Sequence, residues 1–460
     1  MAGFPVLTES PRTLGEAAIM AGAELRGAPG LKVSGAGLDS RRLRPGEVFV
    51  ALPGEHTDGH LFAQAALASG APAALVSAAW AAAHPEAQPL LVAADPELAL
   101  QRWARGHRKS FDIPVIAVAG SNGKTTTRSM LGHILASRGP ALATEGNLNN
   151  QLGVPLTLLR LEGTHQAAAV EMGINHAGEL RMLCGIAEPT AGVITNTGRE
   201  HLEGLGSLEE AARAEFELAE FLLERGGEIS LNGDDSRLAQ LGRGHPVRTF
   251  GLGEGCEVRG RIVGSPGLSG IQFEVAGAGV VSLPLPGRHN VSNALAAMAA
   301  ALSVGISLAE SAQALSSYAG TERGRLAKVT IRGITVLDDT YNANPESLRA
   351  AVEVLRAAPC EGRRIAALGD MLELGEGAQG EHESAGEELR GLDEVWLAGA
   401  FAADFERGAR RAGVKTIRNF SDSAQLGEAL RAEARTLDLL LVKGSRGMKM
   451  ERVLDALRRE

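Results

Sequence analysis

The sequence predicts an α/β protein of three domains. Two stretches carry that reading. At residues 114–137 an apolar run breaks into a glycine-containing turn and then a helix, and beyond residue 334 short apolar runs alternate regularly with helical segments. Length supplies the domain number, because 460 residues exceed what one ordinary hydrophobic core organises and fit two to four domains.

The expected boundaries are 1–110, 111–322 and 323–460. In the first segment the run GEVFVAL (Gly46 to Leu52) reads as a strand, Leu61 to Ser69 as an Ala-rich helix and AALVS (Ala73 to Ser77) as a second strand, which makes a small α/β domain. The second opens with PVIAVA (Pro114 to Ala119), a buried-strand signal, followed by a helix from about Lys124 to Ser137 and further strands at Ala167 to Val170 and Ala191 to Thr195. In the third, strands at Ile334 to Leu337, Ile365 to Leu368, Val395 to Ala398 and Leu439 to Val442 alternate with helices, the pattern of a parallel doubly wound sheet. Ligands of such sheets gather beyond the carboxyl ends of the strands, so residues just after each strand are the candidates for chemistry.

Composition removes several function classes. Hydrophobic content of 44% with 22% charged residues is that of a globular enzyme, and a net charge of −9 argues against nonspecific nucleic-acid binding. Cys184, Cys256 and Cys360 stand in no metal-ligand spacing and read as buried free thiols. No targeting segment and no long apolar run is visible, so a cytoplasmic protein without membrane insertion is expected. Exposed apolar stripes are lacking, which fits a monomer.

Gly120-Ser121-Asn122-Gly123-Lys124-Thr125-Thr126 lies between a strand and a helix, the context a phosphate-binding loop requires. Backbone N–H groups there can hold anionic phosphates, Lys124 can reach the β- and γ-phosphates, and the Thr125 hydroxyl can bind magnesium. Val118 occupies the place of the usual first glycine. A chance Gly-rich turn is the bland alternative. Glu171 ends the run AAAV and His201 follows the strand AGVIT, so both fall on the rim of the loop as candidate magnesium ligands, the carboxylate being the better donor for a hard cation. Taken singly, each would more often be a surface or hydrogen-bonded structural residue.

At these residues the sequence resembles the Mur ligase family. The matching strings are GNLNNQLGVPLTLL from Gly146, EMGINHAGE from Glu171, HLEGLGS from His201, LPGRHNVSNALAA from Leu285, DDTYNANPES from Asp338, GDMLELGE from Gly369 and KGSRGMKME from Lys443. LDSRRLRPGEVFVALPGEHTDGHLFAQAALASGA from Leu38 resembles the family's uridine-nucleotide domain, so the likeness runs through nearly the whole chain. It implies three domains in order: a uridine-nucleotide domain, a P-loop ATPase-like domain and a Rossmann-like acceptor domain. It implies further that ATP phosphorylates the terminal carboxylate of a UDP-N-acetylmuramoyl tripeptide, and that the amine of D-alanyl-D-alanine then attacks the acyl phosphate.

By that resemblance Thr125, Glu171 and His201 would organise two magnesium ions. Asn290 and Asn293 would contact adenine, Arg325 would reach the γ-phosphate from the third domain, and Asp339 would meet the ribose. Ser40, Arg41, Asp58 and His60 would lie near the uridine diphosphate. Asn147, Asn149, Asn150, Asn175 and His176 would line the path of the muramoyl peptide, and Tyr341, Asn344, Lys443 and Arg446 would form the acceptor region. Lysine and arginine at a strand end are also commonly just solvated.

One position departs from the family pattern. The family places a carbamylated lysine fourteen residues after the motif histidine, and here that position is Glu215. On a helix over 207–225, Leu208, Ala211, Ala212, Phe216, Leu218, Ala219, Leu222 and Leu223 form one face with Glu215 inside it, while Glu209, Glu210, Arg213, Glu217, Glu220 and Glu224 lie opposite. A carboxylate facing inward needs a cation or a metal. Glu215 is expected to stand in for the carbamate at the magnesium site, the alternative being a pair with a nearby arginine. Ala119, where the family commonly has threonine, is expected to alter packing alone.

Two other readings share parts of this evidence. A sister ligase adding an amino acid to the muramoyl dipeptide or to folylpolyglutamate would share the ATP machinery. The first lacks a DNPR-like string here, and the second leaves the N-terminal DSR and DGH strings without a purpose. A P-loop nucleotide switch would leave DDTYNANP and KGSRG unexplained, and a catalytically retired scaffold would not need Lys124, Glu171, His201 and Arg325 together.

Overall fold

The structure, a computed structural model, describes residues 13–54, 57–200, 202–320 and 323–459. Three β-sheets succeed one another along these segments. In spatial order the first consists of Glu24–Arg26, Leu90–Ala93, Ala74–Ser77, Glu47–Val50 and Gly35–Gly37, parallel except for the antiparallel Glu24–Arg26 edge. The two strands read from the sequence are its centre. The short edges escaped notice because three residues carry no readable period.

The second sheet has nine strands in the order Gly279–Leu283, Ile271–Val275, Val258–Gly264, Arg248–Gly251, Glu228–Asn232, Ala191–Ile194, Val115–Ala119, Ala167–Glu171, Ala141–Ala143. The last seven pair parallel and the first three form an antiparallel extension, which the sequence reading did not foresee. Val115–Ala119 is buried at all five positions, as expected of a strand covered on both faces. Helices Lys124–Ala136 and Arg288–Leu302 pack together over one face, where Ile116 and Val118 meet Met130, Leu131 and the alanines of the second helix. Helix Leu208–Leu223 covers the other, where Ala117 and Ala119 share a core with Leu218 and Leu222.

The third sheet runs Ala327–Ile331, Ile334–Asp339, Leu439–Lys443, Arg364–Gly369, Glu394–Ala398, Thr416–Phe420. Five strands are parallel, and the α/β class with a doubly wound C-terminal sheet holds. The added edge strand Ala327–Ile331 is antiparallel because the chain reverses through Arg332 and Gly333, both at positive φ (53° and 76°), as a two-residue hairpin demands.

The first two sheets share one apolar core. Leu14, Val48, Leu75 and Trp103 belong to the same buried cluster as Val115, Leu158, Leu183 and Phe216. Arg108, buried at the end of helix Pro96–Lys109, ties the joint with hydrogen bonds to the carbonyl oxygens of Phe111 (2.7 Å), Ile113 (3.1 Å) and Ala187 (3.1 Å). The third sheet has its own two cores, one on each face. All three cysteines are free, but only Cys184 is buried; Cys256 and Cys360 are partly exposed, which corrects the expectation of three buried thiols. Among the described residues no helix is long and apolar enough to cross a membrane.

Candidate active site

Strand Val115–Ala119 delivers the phosphate loop, and two glycines shape it. Gly120 (φ +115°) lies where a Cβ would come within 2.3 Å of Thr195 Oγ1, and Gly123 (φ +81°) where it would come within 2.1 Å of Asn293 Oδ1. Only a residue without a side chain fits either place. Helix Lys124–Ala136 starts directly after Gly123, so the unpaired N–H groups and positive dipole end of its first turn face the cavity.

Part of the loop's own backbone is already engaged. The N–H of Gly120 donates to Glu215 Oε2 (2.7 Å), that of Ser121 to the Asn196 carbonyl (2.9 Å) and that of Asn122 to Asn196 Oδ1 (2.9 Å). An anion bound here therefore falls to the first turn of the helix and to Lys124, which narrows the role expected for Ser121 and Asn122. Lys124 Nζ donates to the Ser121 carbonyl (2.9 Å) and lies 3.3 Å from Glu200 Oε2. Burial works against its charge, while Glu200, Glu215 and Glu171 more than offset this and hold its pKa above the ordinary lysine value.

Glu171 closes the neighbouring strand beside the loop. Its Oε1 accepts from Thr125 Oγ1 (3.1 Å) and Asn149 Nδ2 (2.8 Å); its Oε2 is buried and accepts no hydrogen bond, with Arg128 Nε 3.6 Å away. A carboxylate oxygen in that position beside a threonine hydroxyl fits a hard divalent cation. His201 lies outside the described residues. Among the described residues no three His, Cys, Asp or Glu side chains converge as a metal-holding group; Thr125 and Glu171 are the pair there whose oxygens could hold a divalent cation.

Glu215 is buried in the apolar face of helix Leu208–Leu223, and its partner is the Gly120 amide rather than an arginine. Desolvation pushes its carboxyl up to about 7, against the opposing pull of Lys124 and the Gly120 N–H.

The third domain reaches across. Arg325 Nη2 donates to Thr125 Oγ1 (3.2 Å), and its guanidinium lies 3.9 Å from the centre of the Tyr341 ring. Asn344 Nδ2 donates to Asn122 Oδ1 (2.8 Å) while its own Oδ1 caps helix Pro345–Ala357 by accepting from Ser347 N–H. Asn342 Nδ2 donates to Glu200 Oε1 (3.3 Å). Arg199 pairs with Glu346 (2.7 Å) and Glu381 (2.9 Å) of two third-domain helices. Between the two domains lies a cavity of about 630 Å³.

That cavity gathers most of the residues singled out from the sequence. Ser121 to Thr126, Asn147, Asn149, Asn150, Glu171, Asn175, Asn290, Asn293, Arg325, Asp339, Tyr341, Asn344, Lys443 and Arg446 all line it. Several are already occupied: Asn150 Oδ1 accepts from the N–H groups of Leu152 and Gly153, and Asn290 Nδ2 donates to the Pro286 carbonyl. Lys443 is not solvated but buried, bonded to Asp339 Oδ2 (2.6 Å) and the Asn342 carbonyl (2.9 Å).

Among the described predicted residues, Gly120 and Glu215 sit behind the loop and do not line the cavity, and five more lie farther from it. Exposed His176 pairs with Glu179 (3.0 Å), and exposed Arg41 donates through Nε and Nη2 to the two carboxylate oxygens of Asp39 while Ser40 sits in the turn beside it. Asp58 accepts from His60 Nδ1 (2.7 Å), and His60 Nε2 accepts from Ser77 N–H (3.0 Å), so this pair braces the first sheet. Conversely, the sequence reading passed over Asn196, Arg199, Glu200, His289 and Asn342. Asn196 and Asn342 lie two and three residues beyond the ends of strands Ala191–Ile194 and Ile334–Asp339, a signal that was available. His289 lines the cavity, and burial pushes its ring down to about 4.

A strand, a glycine-built phosphate loop and a lysine, met from a separate α/β domain by an arginine, define an enzyme that acts on a nucleotide's phosphates in a cleft between domains. The comparisons with known proteins agree. Domain models of the family match in sequence: the Mur ligase family catalytic domain over 19–102, the Mur ligase middle domain over 118–301 and the Mur ligase glutamate ligase domain over 324–446. Similar proteins include the UDP-N-acetylmuramoyl-tripeptide--D-alanyl-D-alanine ligases of Escherichia coli (36% identical, 97% of this chain, 98% of that one) and Bacillus subtilis (33%, 92% and 93%). Among solved structures, MurF from Acinetobacter baumannii superposes with a TM-score of 0.85 at 32% identity, over 98% of this chain and 100% of that one. MurF ligase from Thermotoga maritima in complex with ADP gives 0.76 at 27%, over 93% and 97%. The chain belongs to the Mur ligase family and is a ligase.

Proposed function

We propose that this chain joins D-alanyl-D-alanine to UDP-N-acetylmuramoyl tripeptide with ATP, through an acyl phosphate, and so makes the UDP-N-acetylmuramoyl pentapeptide for peptidoglycan. The carrying observation is Arg325 of the third domain 3.2 Å from Thr125 at the start of the phosphate-loop helix, across a cavity large enough for reacting groups from several substrates. The names of relatives matched over nearly the whole chain supply the substrates.

In this reading residues 1–110 hold the uridine nucleotide, 111–322 hold ATP and 323–460 hold the acceptor. Lys124 and the first helical turn neutralise and orient the phosphates, and Arg325 adds a cation where charge develops on the transferred group. Thr125 and Glu171, with His201 and Glu215 as further candidates, would hold magnesium, which supplies Lewis-acid stabilisation of phosphoryl oxygens when bound. The Asn149 and Asn175 wall orients the donor peptide, and the third domain shields the acyl phosphate from water until the amine arrives. Asn290, Asn293 and Asp339 border the place for the nucleoside. The protein works as a cytoplasmic monomer in cell-wall synthesis, on which cell shape and division depend.

The test follows phosphate release and product mass with ATP, magnesium and UDP-N-acetylmuramoyl tripeptide, with and without D-alanyl-D-alanine. Release that depends on the dipeptide, with a pentapeptide product, is the expected result. Release without acceptor points to a nucleotide switch, and release with single amino acids alone points to a sister ligase.

A further inference from the structure

A second cation stands one helical turn from Lys124. Arg128 lies on the same helix, Lys124–Ala136, and is buried, its side chain 6% exposed. Thr125 and Arg128, three residues apart, share a helix face, and both reach Glu171. The Thr125 hydroxyl and the Asn149 amide hold one carboxylate oxygen, Oε1, at 3.1 and 2.8 Å. Toward the other, Oε2, comes Arg128 Nε at 3.6 Å, a contact of charges too long for a hydrogen bond.

The backbone around the carboxylate leaves it little freedom. Glu171 N–H donates to Thr144 Oγ1 (3.0 Å), and the Asn149 carbonyl accepts from Gly173 N–H (2.8 Å), so the segment carrying Asn149 is tied to the strand end carrying Glu171. Gly173 permits that approach, since a Cβ there would lie 2.9 Å from Asn149 Nδ2. Arg128 Nη2 reaches the Gly146 carbonyl (3.5 Å) at the start of the same segment.

A buried carboxylate needs a counter-ion, and Arg128 supplies one from within the protein. It nevertheless leaves Oε2 without a hydrogen bond. An oxygen that has a compensating charge but no donor is open to a divalent cation, and a cation arriving there meets the arginine as a like charge. Arg325 Nη2, 3.2 Å from Thr125 Oγ1, brings another positive group to the same point. Nucleotide phosphates carry the negative charge that this place lacks.

We propose that Arg128 is a positioning residue that acts through Glu171: as its resident counter-ion it makes divalent-cation binding conditional on the nucleotide. The inference rests on the placement of magnesium at Thr125 and Glu171 made above. The protein alone offers a carboxylate already compensated, and the triphosphate supplies the oxygens and charge that outweigh the arginine. By linkage, cation and nucleotide then raise each other's affinity by one common factor, roughly five- to 150-fold for coupled ligands.

Manganese is the probe. Its binding to the full-length protein without nucleotide is titrated by electron paramagnetic resonance in the parent, Arg128→Met, Arg128→Lys and Glu171→Gln, with circular dichroism reporting the fold of each. Parent binding at Glu171 should be no tighter than about 1 mM. Arg128→Met removes the charge while Thr125 and Asn149 keep the carboxylate aimed, so manganese should bind about tenfold tighter. Arg128→Lys should show no such gain, and adding Glu171→Gln to Arg128→Met should abolish it. Equal affinity in the parent and Arg128→Met overturns the inference and leaves the ligase reading intact. If Arg128→Met does not fold, the parent decides: tight binding without nucleotide that Glu171→Gln removes overturns the inference, and weak binding upholds it. A gain that survives Glu171→Gln overturns the inference together with the magnesium placement, while ligation of the dipeptide stands on its own assay.

Discussion

Arg325 and Thr125 lie in different domains, 200 residues apart in sequence, and meet at 3.2 Å over the phosphate loop. In the proposed reaction the contact would let the third domain complete the charge at the reacting phosphate. Replacing Arg325 with alanine should lower kcat roughly a thousandfold while ATP still binds the central domain, since a cation in this role acts mainly on the transferred group. Rapid-quench kinetics with a nucleotide-binding measurement checks both halves; an unchanged kcat would remove Arg325 from the chemistry.

Gly123 should tolerate no side chain. Its Cβ would meet Asn293 Oδ1 at 2.1 Å in a conformation that L-residues avoid. Gly123→Ala should weaken nucleotide binding at least tenfold by calorimetry, with little loss of overall helix content.

Glu215 touches the loop through the Gly120 amide and acts on Lys124 through charge. Glu215→Gln keeps the size and removes the anion, so activity should fall and the magnesium requirement should rise. Undiminished activity across a magnesium titration would exclude the carboxylate from the metal site.

Arg199 holds Glu346 and Glu381 of the third domain while its chain neighbour Glu200 reaches Lys124. Arg199→Ala should loosen closure, seen as a larger radius of gyration by X-ray scattering, and should cost about tenfold in kcat. An unchanged radius would show that other contacts hold the domains.

His289 gives a pH signature. Burial lowers its pKa from 6.5 to about 4, so the folded protein keeps the ring neutral while the unfolded chain takes up a proton first. Its contribution to stability is complete above pH 6.5 and is lost as pH falls toward 4. Between those limits His289→Gln should lose less stability than the parent. Urea unfolding at several pH values tests this, and equal pH slopes would refute it.

What the sequence revealed follows from how locally each feature is encoded. Val115–Ala119 and the loop behind it were legible because burial on both faces, tight glycine turns and a helix start all act within about twenty residues. Glu215 was legible as a charge out of phase with its helix, but its partner was not, because the Gly120 amide lies 95 residues away. His289 carries no local sign, since the cavity it lines arises from domains that meet only in the folded chain. The antiparallel strands between 258 and 283 were missed because their burial alternates over runs too short to tell from loop.

The apolar core shared by the first two sheets, tied by Arg108, makes the enzyme two mechanical pieces rather than three. Residues on the first sheet and on the phosphate loop are spaced by that one packed core. In the proposed reaction the pair would act as a ruler, accepting a donor whose length matches that interval so that it anchors at one end and presents its carboxylate at the other.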